Sequence, residues 1–305
     1  MSGATLDIDQ VRAWLAILYG DAPGLIHVSS TGNWAGRAFT DHDEAAAHIA
    51  QLDATKPEGI YLRATTLREQ PRRGRGGEAD SLALPGLWAD LDIAGPGHKT
   101  AETLPPDEGA ARRIIATSGL PEPTLWVHSG GGLYPWWLLD KPAEITPDTI
   151  AGIRDLSNRW QVVIGRAAST LGWHYGTGVG DLARVLRVPG TVNRKEGLAR
   201  PCRIIDANQR RYSLDELRDA LADGLRRHPD PQPEPRPERP HLTVVRDPGE
   251  ISPCDDFEQK VSWDDPLLLG GAGWRIARGR PGEYCEWIRP GKTTPGISAA
   301  TGRDP

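Results

Sequence analysis

The chain is predicted to adopt an α+β fold. Three observations lead there: strand-like and helix-like stretches alternate over the first two thirds, hairpin-type turns join several of the strands, and a proline-rich segment sets off a short terminal piece. Hairpins alternating with crossover helices predict a mixed sheet. Residues 7–19 carry Val11, Trp14, Leu15 and Leu18 on one stripe, the mark of an amphipathic helix. Leu25–Ser29 reads as a strand and Thr31–Gly36 as a turn. Asp41 caps a helix over Ala45–Leu52. Ile60–Ala64 is a strand that leads, through a glycine-rich loop carrying Arg68, Arg72, Arg73 and Arg75, into the strand Leu87–Ile93. That loop reads as mobile and solvated in the free protein. Pro106–Ser118 is a helix stopped by Gly119, and Thr149–Leu171 is helical in one or two pieces. Cys202–Asp206 is a strand, and Ser213 opens a helix with Glu216 at the capping-box position.

The 305 residues suffice for one sizeable core and a smaller unit. A hydrophobic fraction of 38% and a charged fraction of 25% are those of a soluble chain. The net charge of −5 excludes a uniformly basic DNA coat but leaves room for a local basic cleft. Arg184, Arg187, Arg194, Lys195 and Arg200 cluster in sequence to make one. The three cysteines are scattered, so no zinc site is expected and a reducing, cytoplasmic setting is the default. No run of about 20 apolar residues predicts a membrane span, and no signal peptide is evident.

Three elements carry chemistry. In Leu87-Trp-Ala-Asp-Leu-Asp-Ile93, Asp90 and Asp92 are two apart, and on a strand they share a face roughly 7 Å apart. Two carboxylates among apolar neighbours repel each other, and desolvation adds to the cost. A divalent cation relieves both, and hard oxygen ligands suit Mg²⁺ or Mn²⁺. The second element, Thr124 to Leu139, reads as strand, glycine turn, strand. Its three glycines serve either as an anion-binding backbone or simply as a hairpin turn. In the third, Gly180 to Lys195, Asp181, Val185 and Arg187 share strand parity, and Arg187 and Lys195 suit phosphate oxygens. Two further glycine motifs are incomplete: Asp181 stands where a dinucleotide fingerprint needs its third glycine, and Glu286 where a P-loop needs its first.

In this order the three elements resemble the archaeo-eukaryotic primase superfamily, most closely the bifunctional primase-polymerase domains of plasmid and phage replication proteins. Arg187-Val-Pro-Gly-Thr-Val-Asn-Arg-Lys195 is the most specific segment. The resemblance spans roughly residues 20–225. It implies an RRM-like catalytic sheet beside an N-terminal α/β unit, and a template-dependent nucleotidyltransferase acting on DNA with NTP or dNTP substrates. It also implies two Mg²⁺ or Mn²⁺ ions on Asp90, Asp92 and Asp181. The triphosphate would be held by Ser129, the amides of Gly130 and Gly131, Tyr134, Arg187, Asn193 and Lys195, with His98 a further candidate for phosphate contact. Where the family has a histidine after the glycines, this chain has Tyr134, which is not cationic near neutral pH.

The expected organisation is a catalytic domain over 1–228, a proline-rich linker over 229–245 and a small module over 246–305. Trp263, Trp274 and Trp287 punctuate that module, which in related replication proteins precedes a helicase. A helicase region is therefore expected in a longer form of the protein. Two other functions fit the same residues: a metal-dependent phosphodiesterase using the carboxylates on water, and a catalytically weak DNA-binding module of replication initiation.

Overall fold

A computed structural model describes residues 4–96, 103–230, 260, 268–280, 284–293 and 296–301. The chain divides into two compact units, Met1–Gln232 and Pro233–Pro305. Within the second, β12 (Arg275–Gly279), β13 (Cys285–Ile288) and β14 (Ala299–Thr301) form an antiparallel sheet that buries Cys285 and Trp287. Trp263 and Cys254 lie outside the described residues.

The first unit is α+β, built around two sheets. Helix α1 (Ile8–Tyr19) starts at Asp7, whose carboxylate accepts from the Gln10 amide. Strands β1 (Ile26–Ser30) and β2 (Asn33–Phe39) form a hairpin, so the stretch expected as a turn is mostly strand. Only Thr31 and Gly32 turn, with Gly32 at φ +86°. Helix α2 (His42–Ala54), capped by Asp41, covers this hairpin and β3 (Ile60–Arg63). The first sheet runs β2-β1-β3-β8, where β8 is Val185–Arg187.

The second sheet gathers β4 (Ala83–Trp88), β5 (Leu91–Asp92), β6 (Leu125–His128), β7 (Gly132–Glu144) and β11 (Arg203–Ala207) in the order β11-β6-β7-β4, with β5 on β7. Helix α3 (Glu108–Ser118) links β5 to β6, and α4 (Ile150–Thr170), an unbroken helix of 21 residues, follows β7. The β–α–β–β–α–β succession of an RRM-like sheet is thus present, with β8 and the short β9 (Val192–Asn193) and β10 (Arg200–Pro201) inserted before β11. Helix α5 (Leu214–Arg227) opens with the Ser213–Glu216 capping box and packs on α4. The expectation of a mixed sheet is corrected: every ladder is antiparallel, and the parallel pairing among the described residues is the isolated bridge Leu139↔Tyr212. The helices cross over between strands that are not neighbours, so they do not enforce parallel pairing.

Both faces of β7 are buried from Gly132 to Leu139, which is why this segment is apolar without alternation. On one face Trp136 stands opposite Trp88 and meets Trp14 of α1 at 5.5 Å and Trp88 at 5.9 Å between ring centroids. On the other, Trp137 packs edge-on against Trp160 of α4 at 5.0 Å and donates to the Pro121 carbonyl. No helix among the described residues is long and apolar enough to cross a membrane.

Trp136 holds the sheet to α1 and sits two residues from Tyr134. Replacing it, Trp136→Ala, is expected to lower unfolding free energy by about 3–5 kcal/mol, measured as a drop in the urea midpoint. A change below about 1 kcal/mol would show the three-tryptophan cluster to be dispensable.

Candidate functional site

The site is laid out by one register. After a shift between Leu84 and Gly86, β4 and β5 pair with β7 as Gly86↔Leu138, Leu87↔Trp137, Trp88↔Trp136, Leu91↔Leu133 and Asp92↔Gly132. The same count puts Asp90 across from Tyr134. Asp90 and Asp92 therefore share a face with Tyr134, as alternation requires. Asp90 is partly buried and Asp92 exposed.

A cavity of about 100 Å³ opens on that face. Its walls bring together Asp90 and Asp92, Ser129, Gly131 and Tyr134, and Arg187, Asn193 and Lys195, with Pro96 and Arg200 added. Three stretches more than 30 residues apart in sequence thus converge. Arg200 stands opposite Asn193 in the β9–β10 ladder. Sequence reasoning placed it only in a general basic cluster, because nothing local reveals that β10 folds back on β9. His98 lies outside the described residues.

The glycines make a tight hairpin turn. The Ser129 amide donates to the Gly132 carbonyl at 2.9 Å, and its hydroxyl donates to the same oxygen at 3.1 Å. Gly130 has φ +81°, and a Cβ there would lie 2.8 Å from that of Asn193. A Cβ at Gly132 would lie 2.2 Å from the Leu91 carbonyl oxygen, so β5 can approach only a bare backbone. The Gly130 amide donates to His128 Nδ1 at 3.0 Å and does not line the cavity, which corrects the expectation of an anion-binding amide at that position. His128 itself faces Glu108 of α3 at 3.6 Å.

Asn193 is a bracket. Its amide Nδ2 donates to the Ser129 carbonyl at 3.0 Å, and its Oδ1 accepts from the Lys195 amide at 3.1 Å. It clamps the hairpin turn to the segment that presents Lys195, which leaves its side chain structural rather than free for ligand. Tyr134 is nearly buried, and its hydroxyl bonds with Ser129 and with the Arg187 guanidinium. Burial, then the Asp90 charge, pushes its ionisation far up, so it remains a neutral phenol. Arg187 lies over the Tyr61 ring at 5.2 Å, and the exposed Trp34 leans on Tyr61 at 5.2 Å. The Nε groups of both Arg187 and Arg200 are buried without a hydrogen-bond partner.

Asp181 is a departure. It lies in a turn ahead of β8, not on the strand with Val185 and Arg187. Its carboxylate pairs with Arg184 at 3.1 Å and Arg75 at 3.5 Å, and it does not line the cavity. Among the described residues no group of three His, Cys, Asp or Glu side chains comes together to hold a metal. Arg194, from the same basic cluster, is spent on a bidentate pair with Asp53 at 2.8 and 3.1 Å.

Two bracing residues were not anticipated. Tyr175 donates to Gln161 Oε1 at 2.5 Å and accepts from the Asp90 amide at 3.2 Å, while Gln161 donates to the Trp88 carbonyl at 2.8 Å. Helix α4 thereby fixes the backbone that presents Asp90. Burial, with the neighbouring Asp92 charge, raises the Asp90 carboxyl from 3.8 to about 6, and Arg184 and Arg187 oppose this only in part.

A carboxyl raised in the folded state binds more protons folded than unfolded between pH 3.8 and about 6. Stability is therefore highest below that window and falls as pH rises through it. Asp90→Asn removes this titration. In the absence of divalent cations the variant is expected to match wild type near pH 4 and to exceed it by on the order of 2 kcal/mol at pH 7. Denaturant titrations at the two pH values measure this; an equal gap at both refutes it.

No family model and no curated protein matches the chain. Among solved structures, the chain is similar to the primase-polymerase AEP domain of cyanophage S-2L, with TM-score 0.49 and 15% identity over 71% of this chain and 98% of that one. It is also similar to the primase RepB′, with TM-score 0.40 and 10% identity over 71% of this chain and 62% of that one. A third match is the catalytic domain of RepB′ in complex with initiator DNA, with TM-score 0.42 and 13% identity over 71% and 94%.

Proposed function

We propose that the first unit catalyses template-dependent nucleotidyl transfer on DNA, as a primase-polymerase of plasmid, phage or mobile-element replication. One observation carries the reading: two neighbouring carboxylates share one small cavity with Arg187, Lys195 and Arg200, and both guanidinium groups keep a buried, unpartnered Nε. Acid and base in this apposition suit a divalent cation beside a polyphosphate. The motif resemblance to the archaeo-eukaryotic primases names four of these five residues, Asp90, Asp92, Arg187 and Lys195, but not Arg200.

Asp90 and Asp92 would hold a Mg²⁺ or Mn²⁺ ion. Their donor set fits: hard oxygens only, with mutual repulsion that a cation relieves. Such an ion supplies charge neutralisation at the reacting phosphate and polarises an attacking hydroxyl. A second ion would need Asp181, whose carboxylate is committed to Arg75 and Arg184.

The chain's own residues do the rest. Arg187 and Arg200 bind and orient triphosphate oxygens through planar donors, and Lys195 adds a point charge. They offset the charge that develops on the leaving pyrophosphate. Tyr134 takes a different part from a histidine: it holds the Arg187 guanidinium in place from within the wall. Asn193 and the glycine turn keep the two cation-bearing segments at a constant distance from the carboxylates. A phosphodiesterase acting on water has less need of three cations gathered beside the carboxylates.

The test is extension of a labelled primer-template with dNTPs or NTPs and Mg²⁺ or Mn²⁺. Metal-dependent growth is expected, with an Asp90→Ala/Asp92→Ala variant at least about 10³-fold slower. Shortened strands in place of lengthened ones would establish the phosphodiesterase instead, and DNA binding without either would establish a non-catalytic module. In the same assay Tyr134→Phe is expected to raise the nucleotide KM by roughly 5- to 10-fold with kcat little changed, because it loosens one phosphate-binding group.

A further inference from the structure

The loop between β3 and β4 plays no part in the nucleotide cavity, yet the fold invests heavily in its shape. The sequence predicts it to be mobile. Instead Arg63, wholly buried at the end of β3, donates to the carbonyls of Arg75 at 2.6 Å and Gly77 at 2.7 Å, and to the Ser81 hydroxyl at 2.7 Å. Burial lowers the Arg63 pKa to about 10, so it is still cationic at neutral pH. The loop is pinned twice more: the Gly77 amide donates to the Asp80 carboxylate at 2.7 Å, and the Ala38 amide of β2 donates to Gln70 Oε1 at 2.7 Å.

Burying a guanidinium is costly, and here two of the four hydrogen bonds that offset the cost go to loop carbonyls, the others to the Thr65 and Ser81 hydroxyls. What the loop presents is charge. Arg72 and Arg73 are exposed, and among the described residues their side chains make no hydrogen bond or ion pair. Arg75, the next arginine, reaches Asp181, which Arg184 also holds, and Arg184 lies close enough to Asp90 to act on its ionisation. A chain of ion pairs, Arg184–Asp181–Arg75, thus leads from near the carboxylate pair to the loop, where Arg72 and Arg73 stand exposed.

We propose that residues 72–75 form a pre-ordered site for the sugar–phosphate backbone of a DNA strand, with Arg63 as its positioning residue. A loop already shaped avoids the ordering cost that a mobile basic segment bears on binding. That the strand is a template rests on the nucleotidyl-transfer reading; that a strand binds here does not. Free polyphosphate shares the ligand chemistry.

The experiment is fluorescence anisotropy of a labelled single-stranded oligonucleotide across a salt series, with neither metal nor nucleotide present. Failure of nucleotidyl transfer therefore leaves the measurement intact. Arg72→Ala/Arg73→Ala is expected to reduce the slope of log affinity against log salt by about 1.4, two contacts at about 0.7 each. Binding at 0.1 M salt should weaken roughly 10- to 30-fold, the same two contacts extrapolated from 1 M salt. Arg72→Lys/Arg73→Lys should keep the slope. Arg63→Lys, which retains the charge but cannot span both carbonyls, should weaken binding several-fold with the slope unchanged. An unaltered slope in the alanine variant overturns the site, as does loss of tripolyphosphate binding with oligonucleotide binding intact. Unaltered affinity in Arg63→Lys overturns its positioning role.

Discussion

The antiparallel register of β4 and β5 against β7 is the constraint on which the rest depends. A one-residue slip would turn Asp90 and Asp92 to the opposite face and bury them against α3 and α4. The register is held by bulk and by bare backbone. Trp88 and Trp136 meet as cross-strand partners, Trp14 of α1 seals them, and Gly132 lets Leu91 approach where any Cβ would collide. Because Trp88 and the two aspartates share one face of the same strand segment, the packing that stabilises the sheet also aims the carboxylates.

The second constraint is electrostatic. A partly buried carboxylate beside another, near Arg187 and Arg200, with which no carboxylate among the described residues forms an ion pair, is an arrangement that costs stability in the absence of ligand. The fold tolerates it by bracing each side. Gln161 and Tyr175 hold the backbone around Asp90, Asn193 ties the glycine turn to the Lys195 segment, and Tyr134 restrains Arg187. Strain of this kind at a concave, charged site is what a binding centre requires, since ligand charge relieves it. The arginine loop is braced in a similar way, with the buried Arg63 spent on its carbonyls.

The primary structure by itself determined the two acidic positions and their common face, because strand alternation is a local rule and the run around Asp90 is short and apolar. It also determined the helix starts, where Asp7, Asp41 and Ser213 satisfy their own first turns. Arg187 and Lys195 were legible because a Pro-Gly turn separates them at a spacing that local chemistry explains. What only the tertiary structure decided is who meets whom. Arg200 joins the cavity because β10 folds onto β9, Arg194 leaves it for Asp53, and Asp181 turns to Arg75 and Arg184 because its segment is a turn and not a strand. The Gly130 amide donates to a histidine, and the arginine loop is held by a guanidinium from another element. These are pairings across many tens of residues. Local propensity carries no information about them, since the energy that selects each one comes from burial and charge compensation in the assembled core.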